Sequence, residues 1–461
     1  MKLEEADFSI QSLGANTIPS NVTVSSFTPD DKRILFNNDL QHYCKSRSSD
    51  VMPLCLEVAG PREKLFFDPP KTKAAIITCG GLCPGINDVI RSLVMELHHR
   101  YGVRNIIGIR YGFQGIIPSF GHDVLELTPD VVDNIHTEGG SILSSSRGIQ
   151  DIKEIVDVLK RMNVDIFFCI GGDGTMRAAQ GITDEINRRH LNISVIGIPK
   201  TIDNDLNLID KTFGFDTAIS EAVKTIQCAH AEAKGAPMGI GLVKIMGRQS
   251  GHIAVHAALA QNDVNFVLIP EVPFDLNGEK GFLKVLENRL RLRRHCVILV
   301  AEGACQDFRQ QAAGKNIVRD TSGNLKLMDV GIFLKNAIED FCKGIGIDAN
   351  LKYIDPSYMI RSVRANAIDS IYCGALGQYA VHAGMAGKTG MLVGLFHGEY
   401  VHFPLKSVAS GKTVDPLGNI WMRVIEATGQ PLSMKNQQQH SFEDTRYEEQ
   451  THVISRLDRA V

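Results

Sequence analysis

The stretch Pro199-Lys200-Thr201-Ile202-Asp203-Asn204-Asp205 gathers a cation, a hydroxyl and two carboxylates. Asp203 and Asp205 bracket Asn204, so along an extended backbone both carboxylates point to one side. One of them can take the proton of a sugar hydroxyl while the other orients it or serves a metal. Crowded acids on a loop are also ordinary solvated turn residues. Lys200 and Thr201 tip the reading, because they offer phosphate oxygens a cation and a hydroxyl.

A second signature, Gly171-Gly172-Asp173-Gly174-Thr175, follows the apolar run Ile166-Phe167-Phe168-Cys169-Ile170. Glycines let a phosphate approach backbone amides, and a following helix directs its positive end at the anion. Asp173 could hold Mg²⁺, directly or through water, since a hard cation prefers oxygen ligands. The same string also suits a tight strand–helix turn with Asp173 as its cap. Gly80-Gly81 and Pro84-Gly85 form a further loop open to a phosphate or to a plain turn. It is no Walker motif, because no Gly-Lys-Ser/Thr follows. Met246-Gly247-Arg248 suits a backbone-plus-guanidinium clamp on a small anion, or a surface arginine. His252 reads as structural. Cys79 and Cys83 lack a second ligand pair at zinc spacing, so they read as thiols.

These loops need elements to hold them. Ala74–Thr78, Asn105–Ile109, Val195–Ile198, Gly241–Ile245, Phe266–Ile269, Cys296–Val300 and Met391–Leu395 read as strands. Val89, Ile90, Leu93, Val94 and Leu97 share one face of a helix beginning near Ile86. Asp151 to Met162 is helical by the same test, with Asp151 as its cap. Asp216–Lys234 and Asn366–Ala386 are further helices. Strands alternating with helices argue an α/β fold with parallel sheets. Residues 1–70 lack periodicity, Asp307–Asn324 reads as an exposed excursion, and the tail after Glu426 reads as peripheral. Arg291, Arg293 and Arg294 read as a solvated helix face rather than an effector site.

A chain of 461 residues with 44% hydrophobic and 22% charged residues is ample for two or three domains. A formal charge of −3 gives no general attraction to nucleic acid or acidic membranes, and no apolar run is long enough to span a bilayer. Met1 to Asp7 is acidic and does not read as a signal peptide. The 10 cysteines, several in apolar settings, fit a reducing cytoplasm.

Taken in order, these signatures resemble the phosphofructokinase family from about Lys73 to about Pro404. Gly80-Gly81, Arg147 in Ser144-Ser145-Ser146-Arg147-Gly148, Asp173, Asp203, Met246-Gly247-Arg248, Glu302, Tyr358 and Arg361 carry the likeness. The Lys200 version is similar to the plant and protist ATP-dependent branch, related to the pyrophosphate-using enzymes. The resemblance implies two interleaved three-layer α/β/α domains with mainly parallel sheets and the active site in the cleft between them. Residues 71–214, completed by about 369–410, would bind nucleotide, and 215–368 the sugar phosphate. Residues 1–70 and 411–461 would be extensions.

The implied reaction is transfer of the ATP γ-phosphoryl to O1 of fructose 6-phosphate, with Mg²⁺. Asp203 matches the general base, Asp205 its supporting carboxylate and Asp173 the Mg²⁺ partner. Gly80, Gly81, Gly172, Gly174 and Thr175 match nucleotide contacts, and Arg147 and Lys200 would reach the transferring phosphoryl. Thr201, Met246, Gly247, Arg248, Glu302, Lys352, Tyr358 and Arg361 match sugar-phosphate contacts. The family implies a homodimer or homotetramer. Bacterial relatives carry a cross-subunit arginine where this chain has Gly239, which leaves that clamp incomplete.

The donor turns on two residues. Pyrophosphate-using relatives resemble an aspartate at Gly174, where a side chain would fill the space of the nucleotide α-phosphate. Gly174 therefore favours ATP, and Lys200, which those relatives keep, pulls toward pyrophosphate. NAD and lipid kinases share Gly-Gly-Asp-Gly-Thr without the other motifs. A non-catalytic regulatory subunit would be free to lose Asp173, Asp203 and Asp205, and all are present.

Overall fold

The computed structural model describes residues 8–436, apart from 24–25, 42, 45–52, 149, 307, 309–326 and 409–410. The expected excursion after Asp307, Phe308 aside, and the glutamine run from Gln437 lie outside the described residues.

In chain order the strands that build the sheets are β1 (Arg33–Leu35), β2 (Cys55–Val58), β3 (Lys73–Thr78), β4 (Asn105–Ile109), β5 (Val124–Glu126), β6 (Ile166–Gly171) and β7 (Ser194–Pro199). They continue with β8 (Gly239–Ile245), β9 (Phe266–Leu268), β10 (His295–Ala301), β11 (Asn350–Ile354), β12 (Met391–Phe396) and β13 (Glu399–Pro404). Two sheets are large, one of nine strands in the order β1-β2-β13-β12-β7-β6-β3-β4-β5, the other of four in the order β9-β10-β8-β11, and two two-stranded ladders, Gln11–Ser12 with Lys388–Thr389 and Ile18–Pro19 with Lys64–Leu65, stand beside them. The five central strands of the first sheet, β12 to β4, run parallel, and all of the second sheet is parallel. The fold is α/β. The chain leaves the larger sheet after β7, builds the smaller one, and returns with β12 and β13, which is the interleaving expected.

Parallel strands are covered on both faces and so read as unbroken apolar runs. Every residue of β6 and β7 is buried. Helices α1 (Ile86–Met95), α2 (Ile152–Arg161), α3 (Asp173–Arg188), α4 (Phe215–Gly235), α5 (His252–Gln261), α6 (Ala367–Met385) and α7 (Asn419–Thr428) supply much of that cover. Asp151 caps α2 as expected, accepting from the Lys153 amide at 2.8 Å. Asn366 caps α6 in the same way, accepting from the Asp369 amide at 2.9 Å.

Both ends of the chain are more integrated than their sequence suggests. β1 and β2 extend the nine-stranded sheet through β13. The buried Glu57 of β2 accepts from Lys388 at 3.1 Å, from Arg62 at 3.0 Å and lies 3.0 Å from His402 Nδ1. The segment after Glu426 is not peripheral as far as Asn436. Gln430 is buried and pairs with the Val267 backbone, accepting from its N–H at 2.7 Å, and Met434 joins the core of the smaller sheet. Apolar stretches are too short or too broken to betray these packings. Among the described residues no helix is long and apolar enough to cross a membrane.

Candidate active site

In the larger sheet the connections step outward from β3 to β4, then resume on the other side of β3 with β6 and β7. Ligands in such sheets bind beyond the carboxyl ends of the strands where the order reverses. The loops after β3, β6 and β7 meet there. Lys200 donates its backbone N–H to Gly171 O at 2.9 Å and its ammonium to Gly81 O at 2.6 Å. Gly80 donates to Ser146 O at 3.0 Å and accepts from Ser145 Oγ at 2.7 Å, so the loop bearing Arg147 is tied to the same edge. Gly80 sits at φ +88°, a conformation that favours glycine.

A cavity of about 450 Å³ opens between these loops and those after β8 and β10. From the larger sheet it is lined by Gly80, Gly81, Arg147, Gly172, Asp173, Gly174, Thr175, Lys200, Thr201, Asp203 and Asp205. The smaller sheet contributes Met246, Arg248 and Glu302, and Arg361 closes it from the segment before α6. Asp173 and Asp203 thus share one opening. A side chain added at Gly174 would meet nothing within 4 Å, so that position faces free space.

Three residues expected to touch substrate stand elsewhere. Lys352 is exposed on β11, an edge strand, outside the cavity. Tyr358 is 74% exposed, with the Arg361 guanidinium 4.8 Å from its ring centre, and does not line the cavity. Gly247 is buried and shapes the loop instead of lining it. Its φ is +129°, its carbonyl accepts from Gly303 N at 3.0 Å, and a Cβ there would lie 2.5 Å from Ser250 O. Strand position and exposure decided these outcomes, and neither is written in a motif.

The electrostatics are those of buried acids among cations. Burial, then Asp205 and Glu302, push the Asp203 carboxyl well above its usual range, against the pull of Lys200 and Arg248. Asp205 is raised by burial too, opposed by a hydrogen bond from Thr201. Burial lowers Lys200 and raises Glu302. Asp203 Oδ1 and Asp173 Oδ1 are buried without a hydrogen-bond partner. A buried orphan oxygen is costly unless a ligand, proton or metal meets it. Asp173 Oδ2 pairs with Arg177 at 2.8 Å.

No cluster of three or more metal-ligating side chains occurs among the described residues. Mg²⁺ commonly uses one or two carboxylates and completes its shell with water and substrate phosphates. Asp173, which lines the cavity and keeps one oxygen without a hydrogen-bond partner, fits that mode of binding.

A family profile described as Phosphofructokinase matches residues 73–384. The chain belongs to the phosphofructokinase family. An ATP-dependent 6-phosphofructokinase of Borreliella burgdorferi is 49% identical over 451 residues, covering 95% of this chain and 99% of that protein. ATP-dependent 6-phosphofructokinase 5, chloroplastic, of Arabidopsis thaliana is 48% identical over 376 residues, covering 81% and 68%. The ATP-dependent 6-phosphofructokinase of Trypanosoma brucei brucei is 45% identical over 382 residues, covering 82% and 77%. Among solved structures, a pyrophosphate-dependent phosphofructokinase from Marinobacter aquaeolei superposes with a TM-score of 0.63 at 21% identity, covering 78% of this chain and 91% of that one. That likeness speaks for the shared phosphofructokinase fold alone.

Within this family frame, sequence reasoning passed over Arg177 and Phe113, both of which line the cavity. Arg177 had a signal, since it stands four residues after Asp173 on a helix and so faces it. Phe113 had none, because it lies on a short turn outside any periodic run.

Proposed function

We propose that the chain is an ATP-dependent 6-phosphofructokinase, moving the γ-phosphoryl of ATP to O1 of fructose 6-phosphate to give fructose 1,6-bisphosphate in cytoplasmic glycolysis. One observation carries the reading: Asp203 and Asp173, each with one buried oxygen that lacks a hydrogen-bond partner, line a single cavity that Lys200, Arg147, Arg248 and Arg361 also line. Acids alone would repel a phosphorylated substrate. Acids amid these cations can bind one and still keep a base.

Asp203 takes the O1 proton as that oxygen bonds to the γ-phosphorus, and the bond to the bridging oxygen breaks to release ADP. Burial beside Asp205 and Glu302 raises its affinity for a proton above that of an ordinary aspartate, the direction a base needs. Lys200 and Arg147 bear on the transferring phosphoryl, and Asp205 supports Asp203. Gly172, Gly174 and Thr175 at the start of α3, with Gly80 and Gly81 after β3, line the space for the donor phosphates, and the glycines let a phosphate approach the backbone. Asp173 would hold Mg²⁺, which when bound offsets the negative charge of those phosphates. Thr201, Met246, Arg248, Glu302 and Arg361 orient the sugar phosphate, with Gly247 setting the loop. We assign Lys352 to a contact between copies in a homodimer or homotetramer, since it is exposed on an edge strand away from its own chain's cavity. Tyr358 holds its ring 4.8 Å from the Arg361 guanidinium, and we assign it to the substrate contact made there.

Gly174 supports ATP, because the space beside it is open. Lys200 supports pyrophosphate, but its ammonium already bonds Gly81 O and serves the loop whichever donor binds. The test compares ATP with pyrophosphate at fixed fructose 6-phosphate and Mg²⁺. Turnover with ATP and none with pyrophosphate is expected. The reverse would overturn the donor, and turnover with neither would favour a regulatory subunit. Asp203→Asn should lower kcat by ~10²–10⁴ with substrate binding kept. Full activity in that variant would place the base elsewhere.

A further inference from the structure

The loop that carries Asp203 and Asp205 is held from outside both sheets. Its inner braces are local: Thr212 Oγ1 donates to Thr201 O at 2.6 Å, and Asn204 Oδ1 accepts from Thr212 N at 3.1 Å. Its outer side meets residues 411–414, which follow β13. Leu206 and Gly411 form an antiparallel bridge, and Lys412 N donates to Asp205 O at 2.5 Å. The Lys412 ammonium then spans two carbonyls further along the same loop, Ile209 O at 3.1 Å and Asp210 O at 3.2 Å.

The same segment is tied at its other end to the smaller sheet. Val414 N donates to Glu271 Oε1 at 2.9 Å, and the buried Val414 side chain fixes it there. That carboxylate oxygen also accepts from Gly251 N at 2.8 Å. Gly251 closes the tight turn after Arg248, and Glu271 follows β9. One short run of chain therefore joins the loop bearing the two aspartates to the loop bearing Arg248. The Lys412 ammonium meets backbone carbonyls and Glu271 Oε1 meets two amides, while Glu271 Oε2 is buried without a hydrogen-bond partner; both side chains act as polar fasteners.

We propose that residues 411–414 act as a strap that sets the Asp203 loop against the Arg248 loop, with Lys412 and Glu271 as positioning residues for phosphoryl transfer. This rests on the reading of Asp203 as the base. Proton transfer demands hydrogen-bond reach, and a displacement of about 1 Å far from the chemistry can cost about 10²-fold in rate. The donor side of the cavity, built from β3 and β6, receives none of the strap's bonds. Loosening the strap should therefore depress kcat and leave the KM for MgATP alone.

The test uses the full chain and the variants Lys412→Met, Glu271→Leu and Glu271→Gln, with Asp203→Asn beside them. Lys412→Met keeps the apolar stem and removes the ammonium. Glu271→Gln keeps the oxygen that accepts both amides, and Glu271→Leu does not. Lys412→Met and Glu271→Leu should each lose about 10–10²-fold in kcat, with the KM for MgATP within about twofold of the parent. Glu271→Gln should retain parental kcat to within about threefold. Amide hydrogen exchange should quicken across 203–213 in the two damaged variants and stay slow in β3 and β6. Parental kcat in a folded Lys412→Met protein would overturn the strap, as would an equal loss in Glu271→Gln and Glu271→Leu. A rise in the KM for MgATP as large as the fall in kcat would overturn it too. Activity in Asp203→Asn would instead overturn the base, which keeps the two failures apart.

Discussion

As the proposed base, Asp203 would work under two opposed demands. A base must be able to lose its proton, yet burial beside Asp205 and Glu302 holds that proton on. Its folded pKa lies above the value of about 3.9 for an exposed aspartate, so the native state binds the proton more tightly than the unfolded chain does. The resulting stability is fully present below about pH 3.9 and is lost as pH rises through the folded pKa. Ligand-free Asp203→Asn should therefore melt higher than the parent at pH 8, with the gain shrinking toward pH 4; an unchanged or lower Tm at pH 8 would contradict it. Gly174 supplies the second prediction at this scale. An aspartate there fits without a clash, because nothing lies within 4 Å of the added carbon, but it would place an anion where the proposed donor phosphates enter. Gly174→Asp should raise the KM for MgATP and lower kcat/KM by about 10²-fold or more, from like-charge repulsion against the donor phosphates. Steady-state kinetics with ATP decides the matter, and parental kinetics would remove Gly174 from the argument. Both residues could be picked out from sequence, because each sits in a short motif directly after an apolar strand.

At the scale of elements, the site is a set of loops at carboxyl ends of parallel strands, and their backbone shapes matter as much as their side chains. Gly247 shows this. At φ +129°, with Ser250 O 2.5 Å from any added Cβ, the loop can only keep its form around a glycine. Gly247→Ala should cost about 1–3 kcal/mol of local strain. The KM for fructose 6-phosphate should rise more than that for MgATP, since Arg248 and Glu302 are carried by that loop and its neighbour. Thermal unfolding and paired saturation curves check both parts, and equal changes in the two KM values would refute the second. The strands behind these loops were legible because burial on both faces demands unbroken apolar runs, as in Ile166–Gly171. β1 and β2 were not legible. They are short, and β2 carries Glu57, a charge that local pattern assigns to solvent.

At the scale of the whole molecule, Glu57 shows what binds the chain's beginning to its end. Burial alone would raise its pKa, but His402 and Lys388 outweigh burial and hold the carboxyl well below the usual range. Arg62 adds a guanidinium at 3.0 Å. A depressed pKa contributes stability that is present above the unfolded value of about 4.3 and lost as pH falls toward the folded one. Glu57→Gln leaves Lys388 and Arg62 short of a buried counter-charge and should destabilise the protein by about 3–5 kcal/mol near pH 7. Equilibrium unfolding in urea measures it, and a loss below about 1 kcal/mol would show the cluster to be no stronger than a surface pair. The effect should fade in acid.

The sequence by itself determined the alternation of strands and helices, the order of the phosphate-friendly loops and the residues of the central motifs. All of these are short-range: a run of apolar residues, a glycine after it and an acid beside it sit within a few positions of one another. Only the tertiary structure decided that Asp173 and Asp203 share an opening, that Lys352 and Tyr358 stand outside it, and that Lys412 and Glu271 brace it. Those outcomes depend on side-chain direction and on partners far apart in the chain, such as Glu271 with Val414 or Glu57 with His402. Packing selects such pairs, and no local spacing encodes them.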